Sequence, residues 1–269
     1  MKAIGMMCFA ATLIANSPEI EVIRMEKAPY SEKAVIHQMY TENKSGKLGG
    51  RENPLVMQVI DFPVGVFLPS KPEWLRGMRE NEQGSVILVW VYGANGYQKR
   101  FYLTRQNGTP FVEGRTYFKD TFRKYFESGD LPSGEAVVSA NLVNAYGESV
   151  KTFKATRTIV ANASEKNSTL EQGLKKPHLV YNEPYGNFRN GQPIMLDFYV
   201  CNADLGRDAY RVELYIDGNH EETLYEWTPY KIRGLKPGRH EIQLVLLDPS
   251  GKKMSEPFGE QKNVILIDN

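Results

Sequence analysis

Residues 193–201 read PIMLDFYVC, and their alternation decides the fold of the C-terminal third of the chain. Every second position carries a large apolar side chain: Ile194, Leu196, Phe198 and Val200. A period of two is the period of a β-strand that has one face against a core. Residues 211–217 (RVELYID) repeat it, with mostly charged side chains at the alternate positions. We therefore predict antiparallel strands with one apolar face.

The neighbouring segments extend this pattern to a complete sheet structure. Residues 224–232, 240–247 and 263–268 are further short apolar or alternating stretches, and turn residues such as Asp217 and Gly218 separate them. Several short strands with turn signals every ~8–12 residues are typical of a β-sandwich. We predict an Ig-like antiparallel sandwich over residues 177–269.

The middle of the chain predicts a second sandwich over residues 49–160. Residues 85–92 (SVILVWVY) have the composition of a central strand, with Trp90 in the core, and Asn95-Gly96 is a strong hairpin signal before the return strand at 98–104. Residues 55–68 are expected to form two short strands. Residues 117–126 favour a strand, with a one-turn helix as the alternative.

A weak internal repeat relates the two predicted domains. Leu131-Pro-Ser-Gly134 and Leu235-Lys-Pro-Gly238 each precede a long strand that ends in a Gly-containing turn, and they lie 104 positions apart. This spacing is close to the size of one sandwich domain. The polar residues 161–176 are interpreted as the linker. The fold class is therefore all-β, with two tandem Ig-like antiparallel β-sandwich domains after an N-terminal signal peptide.

The N-terminus indicates export. Lys2 is followed by uncharged, mostly apolar residues as far as Ala15, as in a secretory signal peptide over residues 1–15. The alternative is a buried N-terminal strand. Residues 16–48 are interpreted as an extension with a strand at 19–25 and a short helix at 31–40, capped by Ser31. Removal of the leader would leave Cys201 as the one cysteine. We expect a periplasmic, cell-surface or secreted protein without an integral membrane span.

Several motifs of the last third resemble a module of bacterial exported proteins of unknown function. They are YRVELYIDG (210–218), EWTPY (226–230), GLKPGRH (234–240) and LLDPSG (246–251). More loosely, they are similar to the fibronectin III and Ig-like repeats of bacterial surface proteins and glycan-active enzymes. The resemblance implies a sandwich fold and a role as spacer, adhesion unit or scaffold component. Because this fold hosts many functions, the resemblance gives the role by analogy alone.

Motifs that carry catalytic or metal chemistry are incomplete. His220-Glu-Glu-Thr-Leu224 begins like the HExxH zinc motif, but Leu224 replaces the second histidine. Asp204, Asp208 and Asp248 have oxygen ligands suited to calcium, but such residues mostly form turns. The sequence has neither a nucleophile elbow nor a phosphate-binding loop. We expect no cofactor, no metal and no enzyme activity, with an unrecognised carboxylate pair of a hydrolase as the alternative.

Binding is the remaining function class. A formal net charge of +1 gives no global field that attracts nucleic acid, which we exclude as a partner. Trp74 lies in a predicted loop and is a candidate for stacking on a sugar ring, although packing over a sandwich edge is the alternative. The prediction is a non-enzymatic structural, adhesive or scaffold component of a bacterial envelope that contacts other proteins. The alternative is a glycan-binding accessory module.

Overall fold

A computed structural model of the chain describes residues 19–27, 34–41, 47–62, 64, 85–93, 98–103, 119–163, 168–254 and 259–269. In the first part of the chain the elements are β1 (Glu21–Arg24), β2 (Val35–Thr41), β3 (Gly50–Ile60), β4 (Val86–Gly93), β5 (Gln98–Leu103), β6 (Lys119–Phe126), β7 (Ala136–Val143) and β8 (Thr156–Ala161). The second part has α1 (Thr169–Leu174), β9 (His178–Glu183), β10 (Gly186–Phe188), β11 (Ile194–Cys201), β12 (Arg211–Ile216), β13 (Asn219–Leu224), β14 (Tyr230–Arg233), β15 (Gly238–Leu247) and β16 (Glu260–Ile267).

The strands form two sandwiches with the same order. In the first, the sheet β2-β3-β6 faces the sheet β5-β4-β7-β8. In the second, β9, β11 and β14 form one sheet, while β13, β12, β15 and β16 form the other in the matching order. The three-residue β10 lies beside β16 and runs parallel to it at the edge of that sheet. With β1 and β10 left out of the count, strands one, two and five of each sandwich oppose strands four, three, six and seven. The predicted tandem of Ig-like antiparallel sandwiches is therefore confirmed.

The predicted apolar faces form the cores. Leu196, Phe198 and Val200 of β11 pack with Val212 and Leu244 inside the second sandwich. The first core is built in the same way, with contributions from the sheets on both sides, including Ile36, Leu55, Met57, Ile87, Val89, Phe122, Phe126, Val138 and Leu142. Residues 119–126 are a strand, as the sandwich context favoured.

The repeat extends to individual hydrogen bonds of the hairpin after each long strand. In the first sandwich Gly147 N donates to Asn144 O and Val150 N donates to Leu142 O. In the second, Gly251 N donates to Asp248 O and Met254 N donates to Leu246 O. All of these pairs are related by the offset of 104 positions. Asp248 thus holds a turn, since its Oδ1 accepts bonds from Lys252 N and Ser250 Oγ.

Residues 16–48 differ from the predicted extension because they supply one strand to each sandwich. β1 pairs antiparallel with β14 of the second sandwich. β2 pairs antiparallel with β3 of the first sandwich, so the helix expected at residues 31–40 is wrong over residues 35–40. The spacing of Val35, Ile36 and Met39 suited either structure, and pairing with β3 decides in favour of the strand. The signal peptide and the second strand expected after Pro63 lie outside the described residues.

The segment predicted as a linker contains a short helix. The Ser168 hydroxyl accepts a hydrogen bond from Glu171 N, 3.3 Å away, and caps α1. The sequence Ser168-Thr-Leu-Glu171 fits the Ser-x-x-Glu capping pattern, so the signal was present. Asn202 Nδ2 donates to Leu174 O and Lys176 O at the other end of the helix. These bonds tie residues 174–176 to the second sandwich.

Asp130, in the loop before β7, gives the first sandwich a dependence on pH. Burial opposes its charge, but hydrogen bonds from Lys99 Nζ (2.6 Å) and Glu127 N (2.9 Å) outweigh this effect and hold its pKa below 3.8. Because the folded pKa is the lower one, the stabilisation is complete above pH 3.8 and disappears as the pH falls through the folded pKa.

We expect Asp130→Asn to lower the free energy of unfolding at neutral pH by about 1 kcal/mol or less, as for a partly exposed ion pair. Urea unfolding at neutral pH and well below pH 3.8 measures the change. The difference between the variant and the natural protein should shrink at the acid pH. An unchanged difference there would contradict the role given to the Asp130 carboxylate.

Candidate functional site at the junction of the two sandwiches

A buried ion pair joins the two sandwiches. Lys151 follows the β7 hairpin of the first sandwich, and Asp197 lies on the outer face of β11 in the second. The Lys151 ammonium contacts the Asp197 carboxylate, and their side chains are 2% and 0% exposed. The same ammonium donates to Ser149 Oγ at 2.6 Å and to Phe198 O at 3.0 Å. Both charges are therefore held inside the protein, away from water.

Further hydrogen bonds complete the surroundings of Asp197. Its Oδ2 accepts from Ser149 N at 2.9 Å and from Asn182 Nδ2 at 2.6 Å. Asn182 also donates to Gly147 O, 2.8 Å away in the first sandwich. A buried carboxylate needs partners of this kind, because desolvation without them is costly. The arrangement requires both sandwiches to be present.

A second buried ion pair also joins the two sandwiches. Arg100 of β5 places Nη2 2.7 Å from Glu183 Oε1 and Nη1 2.9 Å from Asn182 O, both in β9. The Arg100 side chain is 2% exposed. Its guanidinium carbon lies 5.2 Å from the ring centre of Trp90 and 5.1 Å from that of Tyr185. Aromatic faces and a paired carboxylate together compensate for the loss of water around the charge.

Trp90 is buried as predicted, but it belongs to the outer face of its sheet rather than to the core. It forms a separate cluster with Val86, Leu88 and Val143. Its ring stacks on Tyr92, with centres 5.5 Å apart, and meets the edge of Tyr185 at 5.6 Å. An outer sheet face is ordinarily wet. Here the second sandwich contributes Tyr185 to its cover.

Aromatic residues of the second sandwich line the rest of the junction. The Tyr199 hydroxyl donates to Leu142 O of the first sandwich at 2.7 Å. Trp227 packs against both cores, and its Nε1 donates to Phe198 O at 2.9 Å. Phe153 of the first sandwich lies 5.2 Å from the Trp227 ring. Trp227 thus bridges the two domains.

The titratable hydroxyl and thiol groups of the junction are neutral around pH 7. Burial raises the pKa of Tyr92, Tyr181 and Tyr199 well above 10. Burial also raises the pKa of the Cys201 thiol to about 12. A thiol without thiolate character is a poor nucleophile and a poor metal ligand. The Tyr199 hydroxyl acts in hydrogen bonding, and the other groups act in packing.

Among the described residues, the structure does not bring the candidates from the sequence to the junction. Trp74 is outside the described residues. His220 lies on a strand, with its Nε2 3.2 Å from Thr223 Oγ1, so the HExxH resemblance has neither its helix nor its second ligand. The described residues bring no three His, Cys, Asp or Glu side chains together in a way that could hold a metal ion. They also include no helix that is long and apolar enough to cross a bilayer.

A shallow, open depression of about 370 Å³ lies on the outer face of the second sandwich. Its lining includes Tyr215, Gln243 and Lys253. The Tyr215 hydroxyl donates to Glu213 Oε2 at 2.6 Å, which raises the pKa of Tyr215. Gln243 Nε2 donates to Glu260 Oε1 at 2.5 Å. These polar groups satisfy one another.

No protein-family model matches the chain, and no curated protein matches it. Among solved structures, it is similar to the fibronectin(III)-like modules of Clostridium thermocellum CbhA. Sequence identity is 15%, the match covers 34% of this chain and 96% of that chain, and the TM-score is 0.28. The chain is a tandem of Ig-like sandwiches. Its strand order and register show this fold.

The residues that build the junction were not predicted from the sequence. One signal was available, because Asp197 interrupts the apolar run of residues 193–201. A charge at an outward position is ordinary on a wet face, so it gave no indication that another domain covers it. The partners Lys151 and Arg100 are distant in sequence and lie in segments with many other charges.

Proposed function

We propose that the protein is a non-enzymatic, exported structural or scaffold component that acts through contacts with other proteins. The observation that carries the proposal is the buried junction, in which Lys151–Asp197 and Arg100–Glu183 fix one sandwich against the other. Separation of the domains would leave charges without partners, which is strongly disfavoured. A tandem held in one orientation suits a spacer or scaffold, whose task is to hold binding surfaces at set positions.

The functional groups of the junction support a structural role. The Lys151–Asp197 and Arg100–Glu183 pairs and the Tyr199 hydroxyl are engaged within the junction, and the tyrosine and cysteine groups are neutral at physiological pH. General acid–base catalysis requires groups that titrate near the working pH and reach a substrate. The described part of the junction offers no such group on an open cleft, which favours a non-enzymatic protein.

The second candidate function is glycan binding by an accessory module. The depression at Tyr215 favours it, because an amphipathic ring next to amide and carboxylate groups is a surface on which a sugar can stack and form hydrogen bonds. Trp74 remains the other candidate residue for this function. Since the polar groups around Tyr215 already satisfy one another, we rank this function below the scaffold.

A glycan array and a hydrolase substrate panel separate these functions. For the purified protein we expect neither specific glycan binding nor turnover, while chemical crosslinking in the native envelope yields a stoichiometric protein partner. Glycan binding that is lost in Trp74→Ala or Tyr215→Ala would replace the scaffold with the accessory module. Turnover that is lost with a single Asp or Glu substitution would contradict the non-enzymatic role. Export is tested by sequencing the mature N-terminus, and an intact Met1 in a cytosolic fraction would contradict it.

A further inference from the structure

The first strand of the chain occupies an edge of the second sandwich. β1 pairs with β14 in four register positions, from Glu21↔Arg233 to Arg24↔Tyr230. The ladder continues at Met25, whose N–H donates to Pro229 O at 2.9 Å and whose carbonyl accepts from Thr228 Oγ1 at 2.7 Å. This is strand addition to a sheet edge, in which main-chain bonds give affinity and alternate side chains give specificity.

The side chains of this segment fit the second sandwich specifically. Ile20 and Val22, two positions apart, pack against its core. Met25 forms a buried cluster with Tyr146 of the first sandwich and Met195 of the second. Alternate apolar residues on the inner face, with Ile23 exposed outside, give the segment a definite register.

Gly234 leaves room for the backbone of Glu19 and Ile20. Its φ is +85°, and a methyl group at its position would overlap the carbonyl oxygen of Glu19. The corresponding position in the first sandwich, 104 residues earlier, is Asp130. In that sandwich, over its described residues, β6 is the edge strand and no strand lies beside it. The second sandwich thus differs from the first at the position beside which the N-terminal segment with β1 passes.

The second sandwich has all seven strands of the shared order without β1. β1 belongs to the second sandwich, although the next element along the chain, β2, belongs to the first sandwich. Its polar anchor is the ion pair Arg24–Glu226, with side chains 60% and 56% exposed, and exposed pairs contribute little. The strand is therefore specific in register, and although the adjoining Met25 is buried, none of the four residues of β1 is.

We propose that β1 is an exchangeable strand. The edge of β14 accepts residues 19–25 of its own chain or the same residues of a second copy, and exchange links copies head to tail. A second copy of this chain is the fitting occupant, since the edge of β14 fits the apolar side chains of residues 19–25 and Gly234 leaves room for their backbone. Exchange of identical elements replaces each contact by an equal one, so it costs little free energy. This inference goes beyond the proposed function and is tested independently of it.

The experiment uses full-length chains in a Cys8→Ser background, and Cys201 is buried with a thiol pKa of about 12. An acceptor chain carries Lys231→Cys and Val22→Asp, which disables its own strand. A donor chain carries Ile23→Cys, the register partner of position 231. The mixture is treated with a short bis-maleimide, and covalent dimers are separated by denaturing electrophoresis. A single chain with both cysteines and Val22 intact reports whether the pair reacts.

We expect donor–acceptor dimers that increase with donor concentration. Adding Gly234→Ala to the acceptor should lower their yield several-fold. Gly218→Ala is the matched control, because its φ is +82° and its methyl group would meet open space. Internal crosslinking in the single chain without donor–acceptor dimers would overturn the exchange. Absence of the internal crosslink would overturn the β1–β14 pairing itself, and equal effects of the two glycine variants would overturn the role of Gly234.

Discussion

Lys151→Met is expected to lower the free energy of unfolding by about 3–5 kcal/mol. The substitution keeps much of the side-chain volume but leaves the Asp197 carboxylate without its cation in a buried position. The remaining donors, Ser149 N and Asn182 Nδ2, offset only part of the desolvation cost. Urea unfolding at neutral pH, followed by circular dichroism, measures the change.

Lys154→Met is the matched control, since Lys154 lies three residues away and is exposed. We expect it to change the free energy of unfolding by about 0.5 kcal/mol or less. Asp197→Asn should cost an amount similar to Lys151→Met. The double variant should cost less than the sum of the two, with a coupling of about 0.5–3 kcal/mol. A Lys151→Met variant as stable as Lys154→Met would show that the pair does not hold the junction.

Arg100→Met is the second substitution with a large expected effect, again about 3–5 kcal/mol. It removes the guanidinium that contacts Glu183 Oε1 and Asn182 O and that packs on three aromatic rings. The loss combines a broken buried ion pair with lost cation–π contacts, and the two effects are not additive. Thermal and urea unfolding of the variant provide the measurement.

The control for this substitution is Arg207→Met. Arg207 also lies over an aromatic ring, with its guanidinium carbon 4.7 Å from the ring centre of Tyr225, but it is exposed. An exposed cation–π contact contributes about 0.5–1 kcal/mol. If the two arginine variants lose the same stability, burial at the junction does not strengthen the Arg100 contacts.

Local pattern was sufficient to predict the sandwiches themselves. The alternation in residues 193–201 identified the core face of β11, and the repeated Leu-x-x-Gly sequence identified β7 and β15 as equivalent strands. Burial of one sheet face fixes such a pattern in the sequence, because the period of a strand is two. The assignment of residues 85–92 to a central strand, which rested on their β-branched and aromatic composition, was also confirmed.

Pairing over long distances could not be predicted. Residues 19–25 were correctly interpreted as a strand, but their partner is far along the chain, with Arg24 and Glu226 separated by 202 positions. The helix expected at residues 31–40 is wrong over residues 35–40 for the same reason, since the spacing fitted both structures and only pairing with β3 selects the strand. The junction is a third example, because both faces of β11 are buried and the sequence of one strand does not tell which domain covers its second face.

Differential scanning calorimetry of the full chain tests most directly whether the junction joins the sandwiches into one rigid unit. If they unfold together, the protein gives one transition whose calorimetric and van't Hoff enthalpies agree, which multidomain proteins usually do not show. Lys151→Met should lower the midpoint of that transition or divide it in two. Two separate transitions in the natural protein, both unchanged by Lys151→Met, would show that the junction does not join the sandwiches.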